Sequence, residues 1–247
     1  MNNSLINDKK YKIISYPGGI RLVRGFFNLK EFEELFQACI NYEENNRNKF
    51  LEANEGLVLN MLFKEMPFLK EKFETIELKE LLGKISNCNQ ADIVISEHSD
   101  YHINTLGGWH DDIEGGSYCT YKDAEDAGIH KFGIFLADAS TIKNIGTQFK
   151  FNRRFIHPQI QLGDILLFPV GLKHRGYPGK LVTGVVRKIA RFLNIKQSIY
   201  IRFVKKMLKE PNRRAIFFTF GRDCEVFRKF EDKNIKRASD QINLLSK

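Results

Sequence analysis

Several protein classes are excluded by what this sequence does not contain. Among its 247 residues there is no apolar run of the ~18 or more positions that a membrane-spanning helix needs. The opening Met1-Asn2-Asn3-Ser4 lacks the apolar core of a secretion signal, so a cytoplasmic location is the expectation. Cysteine is scarce. Cys39, Cys88, Cys119 and Cys224 are scattered with no paired spacing, which argues against a disulfide framework or a zinc knuckle and predicts reduced, mostly buried thiols. No G-x-S-x-G, P-loop or Rossmann fingerprint occurs, so hydrolase, nucleotidyl and nicotinamide chemistry have no motif to rest on.

What remains is the composition of an ordinary soluble globular chain, 43% hydrophobic and 28% charged, long enough for one well-buried domain. Its charge is unevenly placed. Residues 1–180 hold 22 Lys/Arg against 24 Asp/Glu, whereas residues 181–247 hold 17 against 6. The excess of positive charge therefore sits in the last quarter, an asymmetry that points to an anionic partner such as a phosphorylated substrate, a nucleic acid or a membrane surface.

The chemistry is concentrated in Trp109-His110-Asp111-Asp112, read with Gly163-Asp164-Ile165-Leu166-Leu167-Phe168 and the following His174-Arg175-Gly176. His110 and Asp112 stand at H-x-D spacing, which on an extended segment puts both side chains on one face. His174 would add a second imidazole. Two imidazoles and one carboxylate form the facial set of non-haem Fe(II) sites, which leaves coordination positions open. A solvated loop histidine is the competing reading of the pair taken alone. Asp111 alternates to the opposite face, and a local bulge would let Asp111 and Asp112 exchange roles. Asp164 is expected to shape the turn before its strand, and Trp109 to pack beside the metal strand.

These three motifs together, WHDD, GDILLFPVGLKHRG and RRAIFFTFG ending at Gly221, resemble the phytanoyl-CoA dioxygenase-like group of Fe(II)- and 2-oxoglutarate-dependent dioxygenases over roughly residues 92–221. The resemblance implies an α+β fold: a distorted double-stranded β-helix, or jelly roll, with N-terminal and C-terminal helices packed around it. It also implies His110, Asp112 and His174 as iron ligands, with Fe(II), 2-oxoglutarate and O2 as cofactor and co-substrates. In that group an arginine on a late strand pairs with the far carboxylate of 2-oxoglutarate. Arg214, forty positions beyond His174, is the expected anchor, with Arg187 nearer in sequence and Arg213 expected to face away. Lys131 is a candidate second anion contact, against a solvated lysine. The activity implied is hydroxylation of a C–H bond in a small substrate, with release of succinate and CO2. The carboxylate at Asp112 argues against a halogenase, whose related sites leave that position free for halide.

Along the chain, a single domain is expected over 1–247. Residues 11–90 should form a hairpin and helices, 92–221 the jelly-roll core, and 224–245 a C-terminal helix. Tyr11 to Tyr16 and Ile20 to Val23 read as hairpin strands around Pro17-Gly18-Gly19. Asn28 and Glu31 have capping-box spacing, and Phe27 with Phe32 the spacing of a hydrophobic staple. Helical regions are expected over 57–73, interrupted near Pro67, and over 78–85. Strands are expected over 93–95, 101–106, 131–137, 147–151, 164–168 and 214–220, with a long loop over 113–130 that is either a lid or a solvated excursion.

The stretch 187–214 holds ten Lys/Arg and one acidic residue, interleaved with apolar positions, and reads as a basic helical insertion over 182–210. A solvated insertion, a membrane-surface contact and a receiver for phosphorylated substrate all fit it; no nucleic-acid module is present. His98 and His102 share a strand face and are expected near the site entrance, while His130 and His157 read as surface or loop residues. Two rival functions remain: a non-catalytic jelly-roll binding protein docking through its basic quarter, and a cupin-like metal enzyme that does not use 2-oxoglutarate.

Overall fold

The computed structural model describes residues 11–53, 56–105, 108–113, 119–136, 146–177, 192 and 213–245. In chain order the strands are β1 (Lys12–Ser15), β2 (Arg21–Arg24), β3 (Leu51–Ala53), β4 (Gly56–Asn60), β5 (Ile93–Ile103), β6 (His130–Leu136), β7 (Gly146–Phe151), β8 (Arg154–Ile156), β9 (Ile165–Pro169), β10 (His174–Tyr177) and β11 (Arg214–Arg222). The helices are α1 (Leu29–Asn45), α2 (Leu62–Glu65), α3 (Pro67–Phe73), α4 (Ile76–Ser86), α5 (Tyr121–Asp126) and α6 (Glu225–Leu245). Eight strands form one sheet in the order β1-β2-β9-β6-β11-β5-β4-β3, and β10-β7-β8 form a second. Every strand pairing among the described residues is antiparallel. This is a two-sheet jelly-roll core with helices around it.

The alternation of side chains gives the large sheet two distinct faces. Ile216, Phe218 and Phe220 of β11, Phe132 and Ile134 of β6, and Tyr101 and Ile103 of β5 point to one side. There they pack with Phe32 and Leu35 of α1, Phe63 of α2, Phe73 of α3 and Leu81 of α4. The Phe132 and Phe218 rings stack at 4.2 Å, and Phe73 meets both at 5.3 and 5.2 Å. The other face carries Ala215, Phe217, Phe135, Leu166 and Phe168, which bury themselves against Phe149 of the small sheet. Between the two sheets lies the interior that a site can use.

α1 begins as its sequence dictates. The Asn28 side chain accepts from the Glu31 backbone N–H at 2.9 Å while the Glu31 carboxylate accepts from the Asn28 N–H, so two orphan donors are satisfied. The expected helix over 57–73 is corrected at its start. Residues 56–60 are β4, paired with β5, and the helical part divides into α2 and α3 at Pro67. Gly56 explains the strand, because a Cβ there would lie 2.2 Å from the Ile103 carbonyl oxygen; the chain runs too close to β5 for any side chain.

The two expected strands over 93–95 and 101–106 are a single strand, β5, that carries a bulge. Phe218 pairs with Ser99 but Phe220 pairs with Ile95, so β5 spends two more residues than β11 over this interval. The Ser96 hydroxyl accepts from the His98 N–H at 3.0 Å, and the Glu97 N–H donates to the Glu231 carboxylate of α6 at 2.6 Å. Within 113–130 the described part includes α5, capped by a Thr120–Asp123 box, rather than an unbroken loop. β8 and β10 were not expected. The basic insertion expected over 182–210 lies outside the described residues except for Phe192, as does Arg187. No helix among the described residues is long and apolar enough to cross a membrane.

Candidate metal centre

His110 and His174 are placed opposite each other by the backbone. They form an antiparallel bridge in which His110 N–H donates to His174 O at 3.1 Å and His174 N–H returns to His110 O at 2.8 Å. Asp112 N–H donates to Val170 O at 3.0 Å, so the extended H-x-D segment is tied at both ends to the turn leading into β10. Period-two alternation then turns His110 and Asp112 the same way. One potential ligand atom from each of His110, Asp112 and His174 lies within 4.8 Å of the others. The imidazole centroids are 4.4 Å apart.

The donor chemistry fits a metal ion. Nδ1 of His110 lies 2.9 Å from Gly108 O, and Nδ1 of His174 lies 2.8 Å from Leu172 O. A carbonyl oxygen can only accept, so each Nδ1 must carry the proton and each Nε2 must present its lone pair. Asp112 divides its oxygens. Oδ1 accepts from the Lys131 ammonium at 2.9 Å, while Oδ2 is buried without a hydrogen-bond partner. Two imidazole lone pairs and one uncommitted carboxylate oxygen are the donors that a facial Fe(II) site needs.

The electrostatics keep these groups in their ligand forms. Burial would raise the Asp112 carboxyl, but Lys131 and the two imidazoles outweigh it and hold it at about 2. Burial pushes the His174 imidazole down to about 4, since charging it inside the protein costs solvation. Lys131 is thus brought to the site, against the solvated reading. It lies on the inner face of β6, where its pairing with Thr219 of β11 sets it beside the triad.

The expectation for the arginine pair is reversed. Arg214 points to the helix-covered face, where it meets the Glu43 carboxylate of α1 at 2.8 Å, and Tyr101 donates to the same carboxylate at 3.3 Å. It is not brought to the triad. Arg213 shares the inner face with Ala215, Phe217 and Thr219. It is 3% exposed, with its guanidinium over the rings of Phe135 and Phe217 at 5.5 and 5.9 Å. Nε donates to Gly146 O, and Nη1 donates to Thr105 O and Oγ1. No carboxylate pairs with it among the described residues. Two adjacent arginines on a strand must face opposite ways, and the phase is set by which face α1 covers with Glu43.

The remaining residues fall as follows. Asp111 turns away, accepting from Tyr121 O–H at 2.8 Å, so it does not exchange roles with Asp112. Asp164 accepts from Arg24 and from the Gln161 N–H, a structural turn role. The Trp109 ring stacks on Phe155 at 5.4 Å with the Arg175 guanidinium 4.5 Å from its centroid. Burial raises the Cys119 thiol, consistent with packing rather than reactivity. His130 is a correction: it sits on β6 stacked on Phe220 and buried enough to push its imidazole down, not on the surface. His98 and His102 do face inward, flanking Asp100 at 3.5 and 3.8 Å. Asp100 and Thr219 were missed. Alternation from Lys131 across the sheet could have found Thr219, but the two-residue bulge hides the alignment of β5.

No protein-family model matches this sequence, and no curated protein sequence matches it. Solved structures do. The non-haem α-ketoglutarate-dependent carbocyclase SnoK from nogalamycin biosynthesis superposes with a TM-score of 0.56 at 10% identity, covering 83% of this chain and 80% of its own. EctD from S. alaskensis, with 2-oxoglutarate and 5-hydroxyectoine, gives 0.57 at 12% identity over 83% and 72%. HygX from Streptomyces hygroscopicus, with nickel and 2-oxoglutarate bound, gives 0.51 at 13% identity over 83% of each chain. At such identities the likeness is one of fold. The chain therefore has the jelly-roll fold of the non-haem iron, 2-oxoglutarate-dependent oxygenases and brings a His-Asp-His triad together inside it.

Proposed function

We propose that this protein is a mononuclear Fe(II)- and 2-oxoglutarate-dependent oxygenase that hydroxylates a C–H bond of a small molecule. The observation that carries the reading is the convergence of one ligand atom each from His110, Asp112 and His174, with both Nδ1 atoms committed to backbone carbonyls and Asp112 Oδ2 uncommitted. In this reading those three atoms hold the iron, and Lys131 keeps Asp112 to one ligating oxygen. When bound, iron and 2-oxoglutarate supply oxidation of substrate by O2, coupled to decarboxylation to succinate and CO2.

Arg213, rather than Arg214, anchors the far carboxylate of 2-oxoglutarate. A guanidinium buried among aromatic rings with no acidic partner among the described residues is costly unless an anion joins it. Among the described residues its side chain donates through Nε and Nη1, which leaves Nη2 for a ligand. The span is suitable. His174 pairs with Phe149 and the Arg213 bond lands on Gly146, three residues along β7, or about 10 Å at ~3.3 Å per residue. Phe135, Phe168 and Phe217 line this interior and keep water from it. The chain, residues 1–247, acts as one catalytic unit in this reading.

Anaerobic titration of Fe(II) and 2-oxoglutarate tests the assignment. A weak visible charge-transfer band near ~500 nm, lost in His174→Ala and Asp112→Ala, is the expected result. Iron uptake without the band would favour a cupin-like enzyme independent of 2-oxoglutarate, and no metal uptake would end the enzyme reading.

A further inference from the structure

Beside the triad is a second polar locus that iron and 2-oxoglutarate do not account for. The cavity that Asp112 and Lys131 border continues between the inner face of the large sheet and α6, where Asp100, Thr219, Phe230 and Asn234 line it and Arg237 stands at its exposed rim. Asp100 and Thr219 are 8% and 4% exposed, and both Asp100 Oδ1 and Thr219 Oγ1 are buried without a hydrogen-bond partner. The nearest groups leave Oδ1 without a partner: His98 Nε2 stands 3.5 Å from Oδ1 and His102 Nε2, 3.8 Å away, faces Oδ2 instead. Lys131, the cation at hand, is committed to Asp112. Two orphaned acceptors in one wall of a cleft are unusual in a native protein and call for a partner.

Burial opposes ionisation of Asp100, but the imidazoles of His98 and His102 and the Lys131 ammonium hold its carboxyl below the usual range. The group awaiting a partner is thus an anion, and charge-assisted bonds to an N–H cation are the strong way to meet it. A primary ammonium has three donors. Asp100 Oδ1 and Thr219 Oγ1 are two oxygens without partners in the same wall, and the Asn234 side-chain amide lines the same space.

We propose that Asp100, Thr219 and Asn234 form the recognition site for a substrate bearing a primary amine, seated against α6 so that a neighbouring C–H bond faces the triad. This rests on the oxygenase reading above for its chemistry, although the amine site itself stands on the cleft alone. It replaces the expectation of an anionic substrate. That expectation came from the charge of residues 181–247, much of which lies outside the described residues.

The test uses the full chain with Mn(II) and 2-oxoglutarate, and two probes of matched shape, benzylamine and benzyl alcohol, followed by saturation-transfer NMR. Benzylamine is expected to bind and benzyl alcohol to bind at least tenfold more weakly. Asp100→Asn, with its fold checked by thermal melting, should weaken benzylamine at least tenfold and leave the alcohol unchanged. Thr219→Val is isosteric and removes only the second orphaned oxygen, so it keeps the test open if Asp100→Asn fails to fold; it should weaken benzylamine several-fold. Mn(II) should broaden the benzylamine resonances. Equal binding of amine and alcohol, or amine binding unchanged in both variants, overturns the amine site even when Mn(II) uptake depends on His174. Amine binding that needs Asp100, with no Mn(II) uptake, upholds the amine site and overturns the oxygenase reading instead.

Discussion

Replacing Arg213 and Arg214 separately by Met divides co-substrate binding from stability. Arg214 holds the Glu43 carboxylate through Nε at 2.8 Å and Nη2 at 3.4 Å, in a site where both side chains are largely buried. Removing one partner of a buried pair costs about 3–5 kcal/mol. Here Arg47 still donates to Glu43 at 2.5 Å and Tyr101 at 3.3 Å, so the expected loss for Arg214→Met is lower, about 2–3 kcal/mol. For a chain of this length each kcal/mol moves Tm by about 2–4 °C, which gives a fall of roughly 4–12 °C. Its affinity for 2-oxoglutarate should stay within about twofold, a change of ~0.4 kcal/mol. Arg213→Met removes a charge-assisted contact worth about 2–3 kcal/mol, so 2-oxoglutarate should bind roughly 30- to 150-fold more weakly. Calorimetric titration of 2-oxoglutarate into the Fe(II)-loaded protein under argon, beside thermal melts, reads both quantities. If Arg214→Met abolishes 2-oxoglutarate binding while Arg213→Met leaves it intact, the facing of this strand has been misread.

Three further outcomes follow from the same geometry. A divalent metal at 100 times its Kd should stabilise the protein by about 2.7 kcal/mol, or ~5–11 °C in Tm, and His174→Ala should abolish that shift in a melt with Zn(II). Metal-free protein should lose stability as pH falls below about 6.5. Burial lowers the imidazoles of His98, His102, His130 and His174, so between their folded values and 6.5 the unfolded chain binds the extra protons. His174, held at about 4, alone accounts for about 3 kcal/mol by the bottom of that window, and urea midpoints measured from pH 7 to 4 that do not fall would refute it. Asn28→Ala should cost about 1 kcal/mol through loss of the α1 cap, read as a shift in the urea midpoint at constant slope.

The triad was legible because its information is local. H-x-D needs only an extended backbone to align two ligands, and His174 follows an apolar strand closely enough to be tied back by one bridge. The α1 cap and most strands were legible for the same reason. Arg213 and Arg214 were not: alternation says that they differ in direction, but only Glu43, far away in sequence, says which is inside. Residues 57–59 are Leu-Val-Leu, apolar enough for either period, and the close pass of Gly56 over Ile103 decides for a strand. Asp100 and Thr219 gain meaning only when α6 closes over them and leaves their oxygens without partners.

The bulge in β5 sets what length changes the strand can accept. Because it adds two residues, Ile93 and Ile95 before it and Tyr101 and Ile103 after it still pack on the helix-covered core. Losing both would shorten the excursion yet keep this parity, whereas losing or gaining one would exchange the faces for the rest of the strand. Tyr101 and Ile103 would then turn inward, and the carboxylate of Asp100 would be driven among phenylalanines. Within 96–98, homologous chains should therefore differ in length by even steps.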